Sequence, residues 1–272
     1  MSKIKKFSHL PKHQDLVDRA YTVLIKDKRV RGIYISGSQT ADEYSDIDLS
    51  IICETEDDRK SMKEDRLLIA QQIGELKAEA MSIFPYTYVT LYEKEEIKVD
   101  FSFSMIPPLP RPDKVNIDII YDPDDHLAKM VEESAKLTWE IDLSDLRNKI
   151  QHFYMGLSYT ISKIGRGEFW DALDCVDFYR KYLIEFEDTL AQRKRENYRR
   201  IEKKLDEVRL EAFNKIMVKE LTRKNLFQTM DNMISYFERF LVERFRELGI
   251  YHETYAKNMM EFYERKKKEI LG

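Results

Sequence analysis

The spacing of apolar and polar residues divides the chain into a first half of short strands with a few helices and a second half of helices. Residues 14–26 carry apolar side chains at helical spacing, and residues 57–81 are charged and helix-favouring, so we expect one helix in each. The segment 107–112 (PPLPRP) is expected to be a loop, because proline cannot donate to a sheet. Strand patterns occur at residues 30–36, 46–53, 86–92, 97–104 and 115–121.

From residue 124 onward the strand signal disappears, and glycine and proline become rare. Residues 146–164 place apolar side chains at helical spacing, with Ser144 as the expected N-cap and the turn 165–167 (GRG) as the end of the helix. A second helix is expected at once over residues 169–186, antiparallel to the first. Further helical patterns cover residues 201–217, 222–248 and 255–270.

These patterns predict an α+β fold class, with an N-terminal mixed β-sheet and flanking helices followed by a C-terminal all-α helical bundle domain. We expect the domains to cover residues 1–138 and 139–272. A chain of 272 residues that is 43% hydrophobic is long enough to build two separate cores.

Charge and cysteine content narrow the possible partners and location. The net charge is −4 with both signs spread along the chain, which argues against long nucleic acids as partners. The only two cysteines, Cys53 and Cys175, lie in apolar surroundings without the spacing of a zinc site, so we expect free core thiols and a cytoplasmic location. Because no run approaches about 20 apolar residues, no membrane association is expected. The pattern leaves a monomer and a homodimer equally open.

The segment 37–49 (GSQTADEYSDIDL) carries the strongest chemical signal. Gly37 and Ser38 follow directly on a strand, where a glycine lets the backbone approach an anion and a serine hydroxyl adds a donor. In the next strand Asp46 and Asp48 are two residues apart and therefore project to the same side. Two adjacent carboxylates repel unless a cation lies between them, and Mg²⁺ prefers such oxygen ligands together with substrate phosphates.

This order of strand, Gly-Ser turn and alternating acidic strand resembles the nucleotidyltransferase superfamily typified by DNA polymerase β. The superfamily pattern also has a third carboxylate on a neighbouring strand, and Asp100, on the polar face of residues 97–104, is the candidate. A nucleotidyltransferase fold followed by a helical domain with a Gly-x-Gly-Glu-aromatic helix start resembles the antibiotic nucleotidyltransferases, in particular the lincosamide and aminoglycoside branches.

The resemblance implies a magnesium-dependent transfer of a nucleoside monophosphate, AMP in the first instance, from a nucleoside triphosphate to a hydroxyl of a small molecule such as a lincosamide or aminoglycoside. Asp46 and Asp48 are the expected ligands of one or two Mg²⁺ ions. Asp100 is expected to complete the metal site, to accept the proton of the attacking hydroxyl, or to do both. The nucleotide-binding residues expected in the motif are Gly37, Ser38 and Ser45.

Four charged residues of the helical half are further candidates. Lys163, Arg166 and Arg180 lie near the 165–167 turn or one helix away, and we expect them to contact the triphosphate. Glu168, at the start of the second helix, is a candidate to bind or deprotonate the acceptor. The alternative for each cation is an exposed helix-surface charge, and for Glu168 a favourable first-turn acid.

A second functional class stays open at this point. A nucleotidyltransferase-like regulatory or toxin–antitoxin module would act on a protein or RNA partner instead of a small molecule. An incomplete set of acidic residues would favour the regulator. The presence of Asp46, Asp48 and Asp100 together favours the enzyme.

Overall fold

The computed structural model describes residues 6–37 and 40–272 and divides into two compact units, with the division between Thr138 and Trp139. The first unit consists, in chain order, of α1 (Pro11–Leu24), β1 (Val30–Ile35), β2 (Ile47–Cys53), α2 (Glu56–Glu64), α3 (Arg66–Ile73), β3 (Leu76–Met81), β4 (Thr87–Tyr92), β5 (Lys98–Met105), a 3₁₀ turn (Pro112–Lys114), β6 (Asp118–Tyr121) and α4 (His126–Ser134).

The six strands form one mixed sheet in the order β3-β4-β5-β2-β1-β6. β2 and β5 are parallel neighbours, whereas the other pairs are antiparallel. β1 and β2 are buried along nearly their whole length because both faces of the sheet centre are covered. Ile33 and Leu49 belong to the larger core on one face, and Tyr34 and Ile52 pack with Leu127 of α4 on the other.

The helix expected over residues 57–81 is wrong at its C-terminal end. Two helices, α2 and α3, cover the first part, and Leu76–Met81 forms the edge strand β3 instead. Its residues are nearly all exposed, so burial does not explain the strand. The backbone of β3 pairs with β4 from Leu76 opposite Tyr92 to Met81 opposite Tyr88. This pairing overrides the helix propensity of Leu, Lys, Ala, Glu and Met.

The second unit is helical throughout its regular structure, and within it the structure corrects three boundaries. Asp142, not Ser144, caps the first long helix, because its carboxylate accepts from the backbone N–H groups of Ser144 and Asp145. The stretches expected as single helices over 201–217 and 222–248 are each broken in two. Its elements are α5 (Leu143–Arg166), α6 (Phe169–Leu190), α7 (Ile201–Lys204), α8 (Glu207–Asn214), α9 (Arg223–Phe240), α10 (Val242–Glu247) and α11 (Glu253–Leu271).

The core of this unit is aromatic where α5, α6 and α9 meet. The rings of Phe153 and Phe237 stack at 4.5 Å between centroids, and Phe186 packs edge-on against Phe237.

Among the helices that the structure describes, none combines the length and the apolar character of a membrane span.

Gly156 allows α5 and α6 to approach closely. A Cβ atom at this position would lie 1.9 Å from Cζ of Tyr179, whose ring is buried against α5. In an exposed helix, replacing glycine with alanine gains about 1 kcal/mol. Here the ring occupies the position of the added methyl group, so the sign is reversed.

We expect Gly156→Ala to lower the free energy of unfolding by about 1–3 kcal/mol, the usual cost of overpacking a core. Urea denaturation of Gly156→Ala, Tyr179→Ala and the double variant measures it. The double variant should be more stable than the sum of the two single losses predicts, because alanine at 179 removes the clash. A Gly156→Ala protein as stable as the wild type would show that α6 moves aside freely.

Candidate active site

The parallel pairing of β2 and β5 places two carboxylates side by side. Asp48 lies directly opposite Asp100 in the ladder, and Asp46 comes just before the first residue of β2. Because side chains alternate along a strand, Asp46 and Asp48 project to the same side. The alternate residues of both strands, among them Leu49 and Phe101, are buried in the core and hold this register.

Asp46, Asp48 and Asp100, which we call the acidic triad, converge closely. One carboxylate oxygen from each lies within 4.8 Å of the other two, and all three side chains are partly exposed. Small side-chain rotations from this spacing would bring the three oxygens onto one divalent cation. An all-carboxylate donor set fits Mg²⁺, which favours oxygen ligands. No other such group of three acidic, histidine or cysteine residues occurs among the residues that the structure describes.

The electrostatics of the acidic triad match those of a cation site. Burial raises the pKa of Asp48, and the negative charges of Asp46 and Asp100 raise it further. The Lys98 ammonium lies 2.9 Å from a carboxylate oxygen of Asp46 and 3.0 Å from one of Asp100. Burial alone would lower the pKa of Lys98, but its hydrogen bonds to these carboxylates raise it above its usual value. The ammonium of Lys98, on β5, thus neutralises part of the negative charge of the acidic triad.

Gly37 lies beside the acidic triad in a conformation that favours glycine. Its φ is +97°, and a Cβ there would lie 3.0 Å from Oδ2 of Asp48 and 3.3 Å from Nζ of Lys6. The backbone N–H of Ser36 donates to the carbonyl of Asp48 at 3.0 Å, which fixes this turn against β2. Ser38, the other half of the predicted phosphate turn, lies outside the described residues.

The loop that leads into Asp46 is held from both sides. The Ser45 hydroxyl donates to Oδ1 of Asp42 at 3.0 Å and accepts from the Asp42 N–H at 2.9 Å. Nε2 of His13, in α1, lies 2.8 Å from the Ser45 carbonyl, and Nε2 of His9, just before α1, lies 2.9 Å from the Ala41 carbonyl. The Ser45 hydroxyl thus shapes the turn before the acidic triad. Its role in nucleotide binding stays a prediction.

Lys6 is a residue of this site that the sequence did not indicate. Its ammonium donates to the Ser36 carbonyl at the end of β1 and lies close to the Gly37 turn. Its charge also opposes the raised pKa of Asp48. The N-terminal segment has neither strand nor helix periodicity before α1, so no pattern could have placed this side chain.

The cations expected from the helical unit are largely engaged within it. The Lys163 ammonium lies 3.0 Å from Glu168 and 2.6 Å from Asp171, and its side chain is only 13% exposed. The Arg180 guanidinium donates to the Tyr198 hydroxyl at 2.9 Å and also pairs with Asp177.

Arg166 and Glu168 are the more accessible candidates at the turn between α5 and α6. Arg166 is 65% exposed at its side chain, and its guanidinium lies 4.0 Å from the Glu168 carboxylate. Trp170, in the first turn of α6, is 76% exposed, and Tyr159 of α5 is 53% exposed. These two aromatic side chains and the Glu168 carboxylate are therefore accessible to solvent.

Comparison with known proteins identifies the family. Residues 11–266 match the family described as streptomycin adenylyltransferase. Among solved structures, the chain is similar to a nucleotidyltransferase-like protein from Exiguobacterium sibiricum 255-15, with 13% identity, a TM-score of 0.44 and coverage of 86% of this chain and 80% of that chain. No curated protein matches the chain significantly. The family match confirms the predicted resemblance to antibiotic nucleotidyltransferases.

We expect Mg²⁺ alone to stabilise the wild-type protein, by about 1.4 kcal/mol when its concentration is ten times the dissociation constant. Asp48→Asn should abolish this response. Folding raises the pKa of Asp48, so the ionised carboxylate destabilises the folded state increasingly as the pH rises through that raised pKa. Without Mg²⁺ at neutral pH, Asp48→Asn should therefore melt no lower than the wild type.

Thermal unfolding with and without Mg²⁺ measures both effects. Asp124→Asn is the matched control, because Asp124 is an exposed acid outside the acidic triad. Equal responses of the wild type and Asp48→Asn to Mg²⁺ would place the cation elsewhere.

Proposed function

The chain belongs to the streptomycin adenylyltransferase family, which makes it an adenylyltransferase, and we propose that it transfers AMP from ATP to a hydroxyl of an aminoglycoside antibiotic in a magnesium-dependent reaction. Family membership supports adenylyl transfer to an antibiotic. The family description, which names streptomycin, supports an aminoglycoside as the acceptor. The acidic triad, with three carboxylates within 4.8 Å, carries the proposal.

Asp46 and Asp48 would be the principal ligands of the magnesium, and Asp100 lies close enough to contribute. Mg²⁺ bound there neutralises charge on the triphosphate and stabilises the developing charge of the displacement. No helical-domain residue is needed to explain this part of the site, because Asp100 lies in β5, Asp48 in β2 and Asp46 just before β2.

Asp100 is the proposed proton acceptor. In the transfer, the acceptor hydroxyl oxygen forms a bond to the α-phosphorus while the bond from that phosphorus to pyrophosphate breaks. The hydroxyl proton must leave as its oxygen attacks, and a carboxylate fixed beside the reacting phosphate can take it. Asp100 is held on the sheet by its pairing with Asp48 and Val89 on both sides, so its position is well defined.

We further propose that residues 1–138 form the catalytic domain and residues 139–272 the acceptor-binding domain. Aminoglycosides are cationic sugars, which bind to carboxylates and to the faces of aromatic rings. The accessible Glu168 and Trp170, at the turn between α5 and α6, and Tyr159, two turns earlier in α5, offer these groups. Arg166, Lys163 and Arg180 stay candidate phosphate contacts, with Arg166 the most accessible of the three.

The function is tested by incubating the protein with each of four labelled nucleoside triphosphates, Mg²⁺, and a panel of aminoglycosides and lincosamides. We expect the label of the α-phosphate to appear on an aminoglycoside and pyrophosphate to be released, with ATP as the preferred donor. Label on RNA or on a protein, with no drug modified, would instead support the regulatory module. No transfer to any acceptor, together with no binding of magnesium-ATP, would contradict the proposal.

Two isosteric substitutions separate the roles of the carboxylates. Asp100→Asn removes the base but keeps its shape, so turnover should fall by about 10²- to 10⁴-fold while magnesium-nucleotide affinity changes little. Asp46→Asn should impair both binding and turnover. Calorimetry and single-turnover transfer on the same preparations measure the two quantities.

Ser102→Ala is the matched control, since Ser102 lies two residues further along the same face of β5 and contacts Thr87. It should leave both quantities nearly unchanged. If Asp100→Asn abolishes nucleotide binding as fully as Asp46→Asn does, Asp100 is mainly a metal ligand, and Glu168 becomes the next candidate base.

A further inference from the structure

The N-terminal segment before α1 is anchored in the core of the first unit. Phe7 is completely buried, and its ring stacks on that of His13 with 5.3 Å between centroids and 21° between planes. The backbone N–H of Leu10 donates to the Phe7 carbonyl at 2.8 Å. Because Phe7 is fixed in this way, the residue before it has a defined position beside the sheet.

Lys6 reaches from this anchor to the acidic triad. Its ammonium donates to the Ser36 carbonyl, and the point where a Cβ of Gly37 would lie is 3.3 Å from Nζ of Lys6 and 3.0 Å from Oδ2 of Asp48. Burial raises the pKa of Asp118, at the start of β6, and the charge of Lys6 opposes that shift as well. Lys6 therefore supplies positive charge on the Asp48 side of the cluster.

The two lysines of the site have different positions. Lys98 forms ion pairs with Asp46 and Asp100 from their own side of the sheet. Lys6 donates to a backbone carbonyl next to the Gly37 turn. Any side chain at Gly37 would fill the space between the Lys6 ammonium and the Asp48 carboxylate. Glycine thus places no side chain in this region between the two opposite charges, beside the expected metal ligands.

We propose that Lys6 binds the triphosphate of the nucleotide in this region and stabilises the pyrophosphate that leaves, a role that rests on the proposed function. When the acceptor oxygen bonds to the α-phosphorus, the electron pair of the breaking bond stays on pyrophosphate, whose negative charge increases. An ammonium that is already fixed beside the leaving pyrophosphate stabilises this increase in negative charge. Lys6 is thus a catalytic residue contributed by the N-terminal segment.

Removing the positive charge of Lys6 should change the affinities for the metal and for the nucleotide in opposite directions. Removing the positive charge of Lys6 takes away repulsion against a cation at Asp48, so Mg²⁺ alone should bind equally well or more tightly. The same change removes a charged hydrogen-bond donor to phosphate, so magnesium-ATP and magnesium-pyrophosphate should bind about 10- to 100-fold more weakly. A purely structural role of Lys6 does not produce this opposition of signs.

Calorimetric titrations of the full chain with Mg²⁺, magnesium-ATP and magnesium-pyrophosphate test the role of Lys6. Lys6→Met and Lys6→Gln remove the charge with different side-chain shapes, and Lys6→Arg keeps it and should retain most of the affinity. Lys28→Met is the control, because Lys28 is an exposed lysine of the same unit outside the site. Melting temperatures of all variants are measured without ligand.

The outcomes separate this inference from the proposed function. If the wild type binds magnesium-ATP and both neutral variants bind it equally well, Lys6 has no role in phosphate binding. Parallel weakening of Mg²⁺ and magnesium-ATP binding, accompanied by a lower melting temperature, would show that Lys6 only stabilises the fold, which also overturns the inference. Failure of the wild type itself to bind magnesium-ATP would instead contradict the proposed function.

Discussion

The parallel pairing of β2 and β5 is the constraint on which the candidate site depends, because it forces like charges together. One carboxylate oxygen from each member of the acidic triad lies within 4.8 Å of the others, and two unit charges at that limit repel by roughly 3 kcal/mol at an effective dielectric of about 20, before solvent screening reduces the value. The burial of apolar side chains on the opposite faces of these strands outweighs this repulsion. A shift of one residue would expose Leu49 and Phe101, so the apolar faces keep the carboxylates in place.

The sequence could predict which residues share a face but not which strands are neighbours. Alternation with period two placed Asp46 and Asp48 on one side of a strand and Asp100 on the polar side of another, and the structure brings all three together. Only the resemblance to a known superfamily suggested that these two strands lie side by side. Alternation carries no information on strand order. The edge strand β3 was missed for a different reason, since its residues favour a helix and only its pairing with the next strand, β4, makes it extended.

The positively charged residues of the site could not be predicted from the spacing of residues along the chain. Lys98 falls on the same face as Asp100 because it is two residues away, but its contact with Asp46 depends on the pairing of β5 with β2. Lys6 belongs to a segment without periodicity, positioned by the burial of Phe7. The cations that were expected, Lys163 and Arg180, have carboxylate partners within the helical unit. Spacing along a helix does not reveal such local ion pairs in advance.

The arrangement of charges bears on how the proposed reaction begins. A cation held by the acidic triad uses the carboxylates of Asp46 and Asp100 that now contact Lys98, so the two positive charges compete for the same oxygens. A polyanionic nucleotide that arrives with the cation removes this competition, because its phosphates give the displaced ammonium a new partner. Binding of metal and nucleotide should then be mutually favourable, since each supplies the charge that the other lacks. Lys6 does not need to change its position in this exchange, because it donates to the Ser36 carbonyl and the buried ring of Phe7 fixes the segment that carries it.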